Sequence, residues 1–324
     1  MQLMPTDAFD PIRLNSRRLS VEVARPGTIY QGTRFDWTGF VTQVVLDGKH
    51  TFCIPESLTP GQGTGGIGIC NEFGIDIGTG YAEAGEADSF PKFGVGLLRR
   101  GPKEKYSFWD PRPIVRPFPI EISSTETSVT FSIEPVDCMG YAARQTKTLT
   151  VLENQLEIAY RMENIGSKPI KTNEYVHNFV AIDDLRLGPD YQVTFPYEVI
   201  LEKTSAPVVG MMKLLPGFLQ ARIDKTYAEK SIEPLEVQGN SIRVKQTPQR
   251  SFYCRTMGYQ RSEQPQWELC HLSSGVSMRE YDDFAPSRVA MWGEAHVISV
   301  EVFVDIDLQP GQEKHWKRRF EFSA

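Results

Sequence analysis

The sequence predicts an all-β protein, a large β-sandwich with few and short helices. Three observations predict it: apolar and polar residues alternate at a period of two, Gly and Pro interrupt the chain at short intervals, and helical periodicity is rare. Many short strands joined by turns are typical of sandwiches. No internal repeat or low-complexity linker divides the 324 residues, so we expect a single domain over residues 1–324.

The individual strands are predicted from this alternation. The runs are, in chain order, residues 38–46, 128–133, 147–152, 155–162, 173–182, 192–195, 241–244 and 296–308. The third and fourth runs form a hairpin around Glu153-Asn154. Residues 207–220 are the best helix candidate. The Gly-rich segment 54–101 either crosses one end of the sandwich and carries function or packs as loops on a sheet edge.

Composition and charge exclude several classes of function. Hydrophobic residues make up 40% and charged residues 23%, as in an ordinary globular protein, which excludes a disordered chain and a coiled coil. The net charge of −6 argues against binding to nucleic acid, which depends on clustered Lys and Arg. No apolar run approaches the ~20 residues that span a bilayer, and no signal peptide is recognisable. We therefore expect neither a nucleic-acid nor a membrane partner.

Cysteine spacing and known motifs narrow the chemistry further. The five cysteines are scattered without CxxC pairs, so we expect no disulfide framework and no zinc site, and a cytoplasmic protein. Phosphate-binding loops, dinucleotide-binding fingerprints, the zinc-protease motif and the serine-hydrolase elbow are absent from the sequence.

His177 has the most informative surroundings of the five histidines. If residues 173–182 form a strand, its face also carries Asn173, Tyr175 and Phe179. Aromatic rings stack on the C–H faces of sugars and amides bond their hydroxyls, so this pattern is typical of a carbohydrate-facing surface. An aromatic core is the alternative interpretation.

Glu301 lies in the second informative strand. Its even positions from Ile298 to Leu308 are apolar, whereas its odd positions form a face that can be open to water. A Glu and a His on one open surface are a general base and a general acid, and ordinary pKa values of about 4.3 and about 6.5 suit those roles. A solvated sheet face without function is the alternative.

Five motifs follow one another in an order shared with a known family. They are Tyr-Gln-Gly-Thr-Arg-Phe-Asp-Trp-Thr-Gly at 30–39, Asn-Glu-Phe-Gly at 71–74, Phe-Pro-Lys-Phe-Gly-Val-Gly at 90–96, Glu-Tyr-Val-His-Asn-Phe at 174–179, and Val-Glu-Val-Phe at 300–303 with Leu-Gln-Pro-Gly at 308–311. In their order and spacing they resemble the aldose 1-epimerase (galactose mutarotase) superfamily, and more closely its uncharacterised bacterial mutarotase-like branch. The resemblance covers nearly the whole chain.

The resemblance implies a β-supersandwich of the galactose mutarotase-like type whose concave face binds a monosaccharide or sugar derivative. It implies that His177 protonates the ring oxygen O5 while Glu301 removes the proton of the C1 hydroxyl. The ring then opens, the C1–C2 bond rotates, and closure gives the other anomer. This proton transfer requires no metal and no organic cofactor.

Further contacts to the sugar are expected from six side chains: Lys92, Arg34, Tyr175, Asn178, Glu72 and Trp292. The sequence departs from the family at two of these places. Lys92 stands where the family has another active-site histidine, and Asn71-Glu72 stands where it has an Asn-Arg motif. For Arg34, a buried ion pair with Asp36 is favoured over a direct substrate contact.

Alternative functions remain open at this point. The favoured one is an aldose 1-epimerase-like isomerase, and a non-catalytic carbohydrate-binding β-sandwich is the first alternative. A hexose-6-phosphate epimerase-like enzyme is the second, in which Lys92, Arg99 and Arg100 meet an anionic sugar. A glycan lyase or hydrolase is less favoured, because no extra helical domain and no second convincing carboxylate are recognisable. A monomer and a dimer are equally compatible with the sequence.

Overall fold

Two large antiparallel sheets packed face to face make up most of the molecule, as given by a computed structural model that describes residues 10–202 and 232–324. Apolar side chains from both sheets form one continuous core between them. The predicted all-β sandwich is confirmed. The helix predicted for residues 207–220 lies outside the described residues.

The first sheet has ten strands within residues 10–202 and 232–324, and it carries the candidate site. Its strands are, in spatial order, β1 (Ile12–Asn15), β2 (Leu19–Ala24), β3 (Phe40–Leu46), β5 (Gly68–Phe73), β13 (Ile170–Phe179), β22 (Val297–Leu308), β21 (Arg288–Glu294), β18 (Phe252–Met257) and β15 (Ile200–Glu202), with β4 (His50–Thr51) beside β3.

The second sheet also has ten strands and covers one face of the first. Its strands are, in spatial order, β16 (Leu235–Gln238), β17 (Ser241–Val244), β14 (Tyr191–Thr194), β19 (Trp267–His271), β20 (Val276–Asp282), β23 (Glu313–Ser323), β12 (Gln155–Asn164), β11 (Ala143–Leu152), β10 (Ser128–Ile133) and β9 (Ile120–Ser124). A third sheet is small and consists of β6 (Ser89–Lys92), β7 (Gly96–Arg99) and β8 (Ile114–Pro117).

The predicted strands fall where alternation placed them. β11 and β12 form the expected hairpin, with Glu153 in its turn at a φ of 51°. β12 shows why alternation predicts a strand: its residues are alternately buried against the core and partly exposed on the other face. Within the described ranges, helical structure is limited to one 3₁₀ turn at Ile182–Asp184.

The segment 54–101 is more regular than its sequence indicates. It contributes β5 to the middle of the first sheet and β6 and β7 to the small sheet, so it is not a set of loops. All six residues of β5 are buried, including Asn71 and Glu72. A strand buried on both faces shows no alternation, and its two polar residues hide it further.

A chain of buried charged groups links the two sheets through the core. Arg318 of β23 donates to Glu174 of β13 at 2.8 Å and to Glu280 of β20 at 2.9 Å. Lys147 of β11 donates to the Asn71 side-chain oxygen at 2.5 Å. These contacts hold the inner sides of β5 and β13, whose outer sides carry the site.

No helix in the described parts of the chain has the length and hydrophobicity that crossing a bilayer requires.

Candidate active site

His177 and Glu301 meet on the outer face of the first sheet. Tyr175 of β13 pairs with Phe303 of β22, and two positions further along the antiparallel strands the same face carries His177 and Glu301. The His177 Nε2 and Glu301 Oε1 atoms are 3.3 Å apart. Two neighbouring strands thus bring together groups that are far apart in the sequence.

Burial shifts the ionisation of both groups. Each residue is 3% exposed, and burial raises the pKa of Glu301 to about 7. Burial also lowers the pKa of His177 well below its ordinary value, and the positive charge of Arg34 lowers it further. His177 is therefore neutral near pH 7, and below pH 7 Glu301 is mostly protonated, so the 3.3 Å contact then holds one proton rather than an ion pair.

Aromatic rings fix the imidazole of His177. It stacks on Phe179, with ring centroids 3.9 Å apart, and meets the edge of Trp292 at 5.4 Å and Phe35 at 6.0 Å. Its Nδ1 atom is buried without a hydrogen-bond partner among the described residues. Trp292 is one of the predicted sugar contacts. It lies beside the imidazole and is partly exposed to solvent.

Arg34, Glu72 and Tyr175 form a second polar cluster on this face. The Arg34 Nε donates to Glu72 at 2.8 Å and its Nη2 donates to the Tyr175 hydroxyl at 3.0 Å. The Tyr175 hydroxyl in turn donates to Glu72 at 2.7 Å. The cluster adjoins the acid–base pair, because the rings of Tyr175 and His177 are 6.0 Å apart.

The expected ion pair between Arg34 and Asp36 is wrong. Asp36 instead accepts a hydrogen bond from Lys147 at 3.3 Å in the core network. Residues 34–36 lie outside any strand, so strand alternation does not apply, and Arg34 bonds Glu72 whereas Asp36 bonds Lys147.

Lys92 and Asn178 lie in places that differ from the expected sugar contacts. The Lys92 Nζ donates to the Phe73 carbonyl at 2.6 Å and to Glu72 at 3.4 Å. Lys92 thus holds the Glu72 carboxylate of the second cluster in place. Asn178 alternates to the opposite side of β13 from His177, where its amide donates to the Val300 carbonyl at 2.7 Å. The expected contact of Asn178 with a sugar on the outer face is therefore wrong.

The face that carries Glu301 is covered, contrary to the expectation of an open surface. Ser299, Glu301 and Phe303 are all buried, and only Asp305 and Asp307 at the far end of β22 are exposed.

Loop residues contribute to this cover around Arg34. The Thr64 hydroxyl accepts a hydrogen bond from Arg34 at 3.0 Å, and the Arg34 guanidinium lies 4.5 Å from the Phe108 ring centroid and 5.7 Å from that of Trp109. The sequence analysis missed these loop residues because no local pattern marks them.

The sequence analysis also did not identify Ser299 as a site residue, although the alternation of β22 places it beside Glu301. Its hydroxyl donates to the Glu301 Oε1 at 3.4 Å. It occupies the odd face of β22 two residues before Glu301, so the same alternation identifies it.

Two of the three basic residues proposed for an anionic sugar, Arg99 and Arg100, lie away from the acid–base pair. Arg99 donates to the Ala87 carbonyl at 3.0 Å, and Arg100 donates to the carbonyls of Tyr81 and Gly101. Both thus stabilise loops beside the small sheet. In residues 10–202 and 232–324, no group of three or more His, Cys, Asp or Glu side chains is arranged to hold a metal ion.

Solved structures with this architecture are numerous. A candidate aldose 1-epimerase from Escherichia coli K12 matches with a TM-score of 0.57 and 11% identity, over 97% of this chain and 98% of that one. A galactose mutarotase-like protein from Lactobacillus casei matches with a TM-score of 0.56 and 13% identity, over 97% and 100%. One from Clostridium acetobutylicum matches with a TM-score of 0.58 and 8% identity, over 96% and 94%.

These likenesses extend over whole chains, and at such identities they show the fold alone. No protein-family model and no curated protein matches this sequence.

Proposed function

We propose that this chain, whose fold is that of the galactose mutarotase-like proteins, is an aldose 1-epimerase-like isomerase that interconverts the anomers of a sugar. The observation that supports this best is the contact between His177 and Glu301 at 3.3 Å, buried and framed by aromatic rings. A carboxylate and an imidazole in this arrangement supply a base and an acid to two neighbouring oxygens of one substrate.

The reaction needs one proton on the pair. Ionised Glu301 takes the proton of the C1 hydroxyl while protonated His177 gives its proton to O5, so the C1–O5 bond breaks and a C1 carbonyl forms. The pair is left with Glu301 protonated and His177 neutral. After rotation about C1–C2 the same two transfers run in reverse and close the ring on the other side. Atoms and charges balance over the cycle.

The shifted pKa values set the resting form of the pair. With the pKa of Glu301 raised to about 7 and that of His177 lowered, the single proton rests on Glu301, and the reactive form with ionised Glu301 and protonated His177 lies higher in energy. Since O1 and O5 are both bonded to C1, a base and an acid a few ångströms apart reach them together.

The surrounding side chains suit a sugar ring. We infer that the guanidinium of Arg34 and the hydroxyl of Tyr175 bond sugar hydroxyls, which the hydrogen bonds of both groups to Glu72 support by fixing their orientation. Trp292 offers an aromatic surface to the C–H face of the ring. Because the acid–base pair is buried, we infer that the covering segments move aside when the sugar enters.

Anomer exchange measured by NMR tests the proposal. Saturation transfer between α and β resonances is recorded for neutral, phosphorylated and uronic sugars, with the wild type, with Glu301→Gln and with the exposed control Glu121→Gln. We expect acceleration with at least one sugar, lost in Glu301→Gln and kept in Glu121→Gln. Binding without acceleration identifies a carbohydrate-binding protein and rejects the proposal, and so does exchange that survives Glu301→Gln.

A further inference from the structure

Regular pairing between β13 and β22 is interrupted where the acid–base pair lies. The paired stretch ends at Tyr175 and Phe303. Pairing resumes in the same register at Val180 and Ile298. The interval between these two places contains His177 on one strand and Glu301 on the other, so contacts other than regular pairing hold the strands together beside the two groups.

Two side chains connect the strands inside this interval. The Ser299 hydroxyl accepts a hydrogen bond from the Asn178 backbone N–H at 3.1 Å. The Asn178 side-chain amide donates to the Val300 carbonyl at 2.7 Å, which is the acceptor of that backbone N–H in a regular antiparallel ladder. Ser299 and Asn178 are both fully buried. Their side chains thus replace a backbone hydrogen bond between the two strands.

The proton of the Ser299 hydroxyl is directed towards Glu301. A serine hydroxyl has one proton to donate and lone pairs to accept with, and here a lone pair is taken by the Asn178 N–H. Glu301 Oε1, at 3.4 Å, is the acceptor for that proton in the described parts of the chain. The same carboxylate oxygen lies 3.3 Å from the His177 Nε2. Ser299 therefore joins the Glu301 carboxylate to the backbone of the residue that follows His177.

We propose that Ser299 is a positioning residue for the acid–base pair: through its bonds to Asn178 and Glu301 it holds the carboxylate at its distance from the His177 imidazole. The effect on catalysis rests on the proposed function, whereas the contact itself does not. Ser299 acts through Glu301 and touches no reacting atom. Because proton transfer depends on the spacing of acid and base, loss of this support lowers the rate of the chemical step more than it lowers affinity.

The hydroxyl also favours the ionised form of Glu301. A hydrogen bond to a carboxylate lowers its pKa, so removal of the Ser299 hydroxyl raises the pKa of Glu301 above its value of about 7. Other titratable groups surround Glu301 on the same face and on the neighbouring strands. They are Arg34, Glu72 of β5, Tyr175 and His177 of β13, Tyr253 and Cys254 of β18, and Arg288 of β21. A change at Ser299 leaves all of these groups in place, so the shift in pKa reports the lost hydrogen bond.

Two measurements on serine variants test the inference. The pKa of Glu301 is read from the 13C NMR signal of its carboxyl carbon, assigned by its loss in Glu301→Gln, and kcat and KM are read from anomer exchange. Ser299→Ala removes the hydroxyl, Ser299→Thr keeps it, and Ser277→Ala changes an equally buried serine of β20 in the second sheet.

We expect a higher pKa of Glu301 and a slower reaction in Ser299→Ala. Because 3.4 Å is longer than the usual ~2.5–3.0 Å of such bonds, the pKa should rise by about half a unit, and the descending limb of kcat/KM should move with it. In the same variant kcat should fall about tenfold while KM changes less than about twofold. Ser299→Thr should restore both values, and Ser277→Ala should match the wild type.

The outcomes separate this role from the proposed function. An unchanged pKa of Glu301 in a folded Ser299→Ala variant overturns the contact, and a loss of kcat that Ser299→Thr does not restore overturns the positioning role. If Ser299→Ala does not fold, Ser299→Cys replaces it, because a thiol keeps the volume but donates weakly. The absence of exchange with every sugar overturns the isomerase instead, and the NMR titration, which needs no substrate, still decides whether Ser299 bonds Glu301.

Discussion

At the scale of single residues, the proposed catalytic role of Glu301 comes with a cost in stability. An ordinary Glu has a pKa near 4.5, and burial raises that of Glu301 to about 7. Above pH 7 the carboxylate is ionised in both the folded and the unfolded chain, and the folded state then bears the cost of burying a charge. That cost is absent below pH 4.5, where both states are protonated, and it approaches about 3 kcal/mol above pH 7.

The variant Glu301→Gln is therefore expected to be more stable than the wild type at pH 8, by up to about 3 kcal/mol, and the gain should shrink as the pH falls to 5. Urea denaturation at both pH values measures the difference, with Glu121→Gln as the exposed control. A gain that is the same at both pH values contradicts the assigned burial cost.

The pH dependence of exchange provides a second prediction at this scale. The active pair holds one proton, so kcat/KM should follow a bell-shaped curve. Its descending limb is expected near pH 7, where Glu301 loses the last proton, and its ascending limb below pH 6.5, because the pKa of His177 is lowered. A rate that still rises above pH 8 speaks against a shared proton.

At the scale of elements, strand alternation explains both the site and its support. The outer side of β13 carries Tyr175 and His177, and its inner side carries Glu174, which accepts from Arg318 at 2.8 Å and from the Trp316 indole at 3.0 Å. Each of these core side chains is buried. The position of β13, which carries His177, therefore depends on ionic contacts across the sandwich.

Removal of the cation from this network should destabilise the fold. Arg318→Met leaves the buried carboxylates of Glu174 and Glu280 without their partner, and such a loss costs about 3–5 kcal/mol. The same change at Arg161, whose pair with Glu313 is exposed, should cost about 1 kcal/mol or less. Denaturant unfolding of the two variants measures the contrast, and equal losses refute the role given to the network.

The sequence predicts some elements well and others not. β13 and β22 follow from period-two alternation, and with them the two residues of the acid–base pair. β5 does not, because it is buried on both faces and contains Asn71 and Glu72. The pair of Asp36 with Lys147 is also hidden, since it joins residues 111 positions apart and has no local pattern.

At the scale of the whole molecule, the fold is better determined than the function. Neighbours with 8–13% identity share the architecture over nearly the full chain, because a sandwich tolerates extensive replacement in its core when the patterning is kept. The covering loops follow no such pattern. Residues such as Thr64 and Phe108 reach Arg34 only through the tertiary fold, so the sequence did not reveal that the site is covered. A single domain remains a prediction.

His177 and Glu301 are proposed to act as one unit in proton transfer. The anomer-exchange rates of His177→Asn, Glu301→Gln and the double variant on one accelerated sugar measure whether they do. General acid–base catalysis contributes about 10²–10⁴-fold, so each single variant should lose about that factor. Because the groups share one proton, the double variant should lose no more than the worse single variant. Losses that multiply, or a single variant that keeps the full rate, would show that the two groups do not act together.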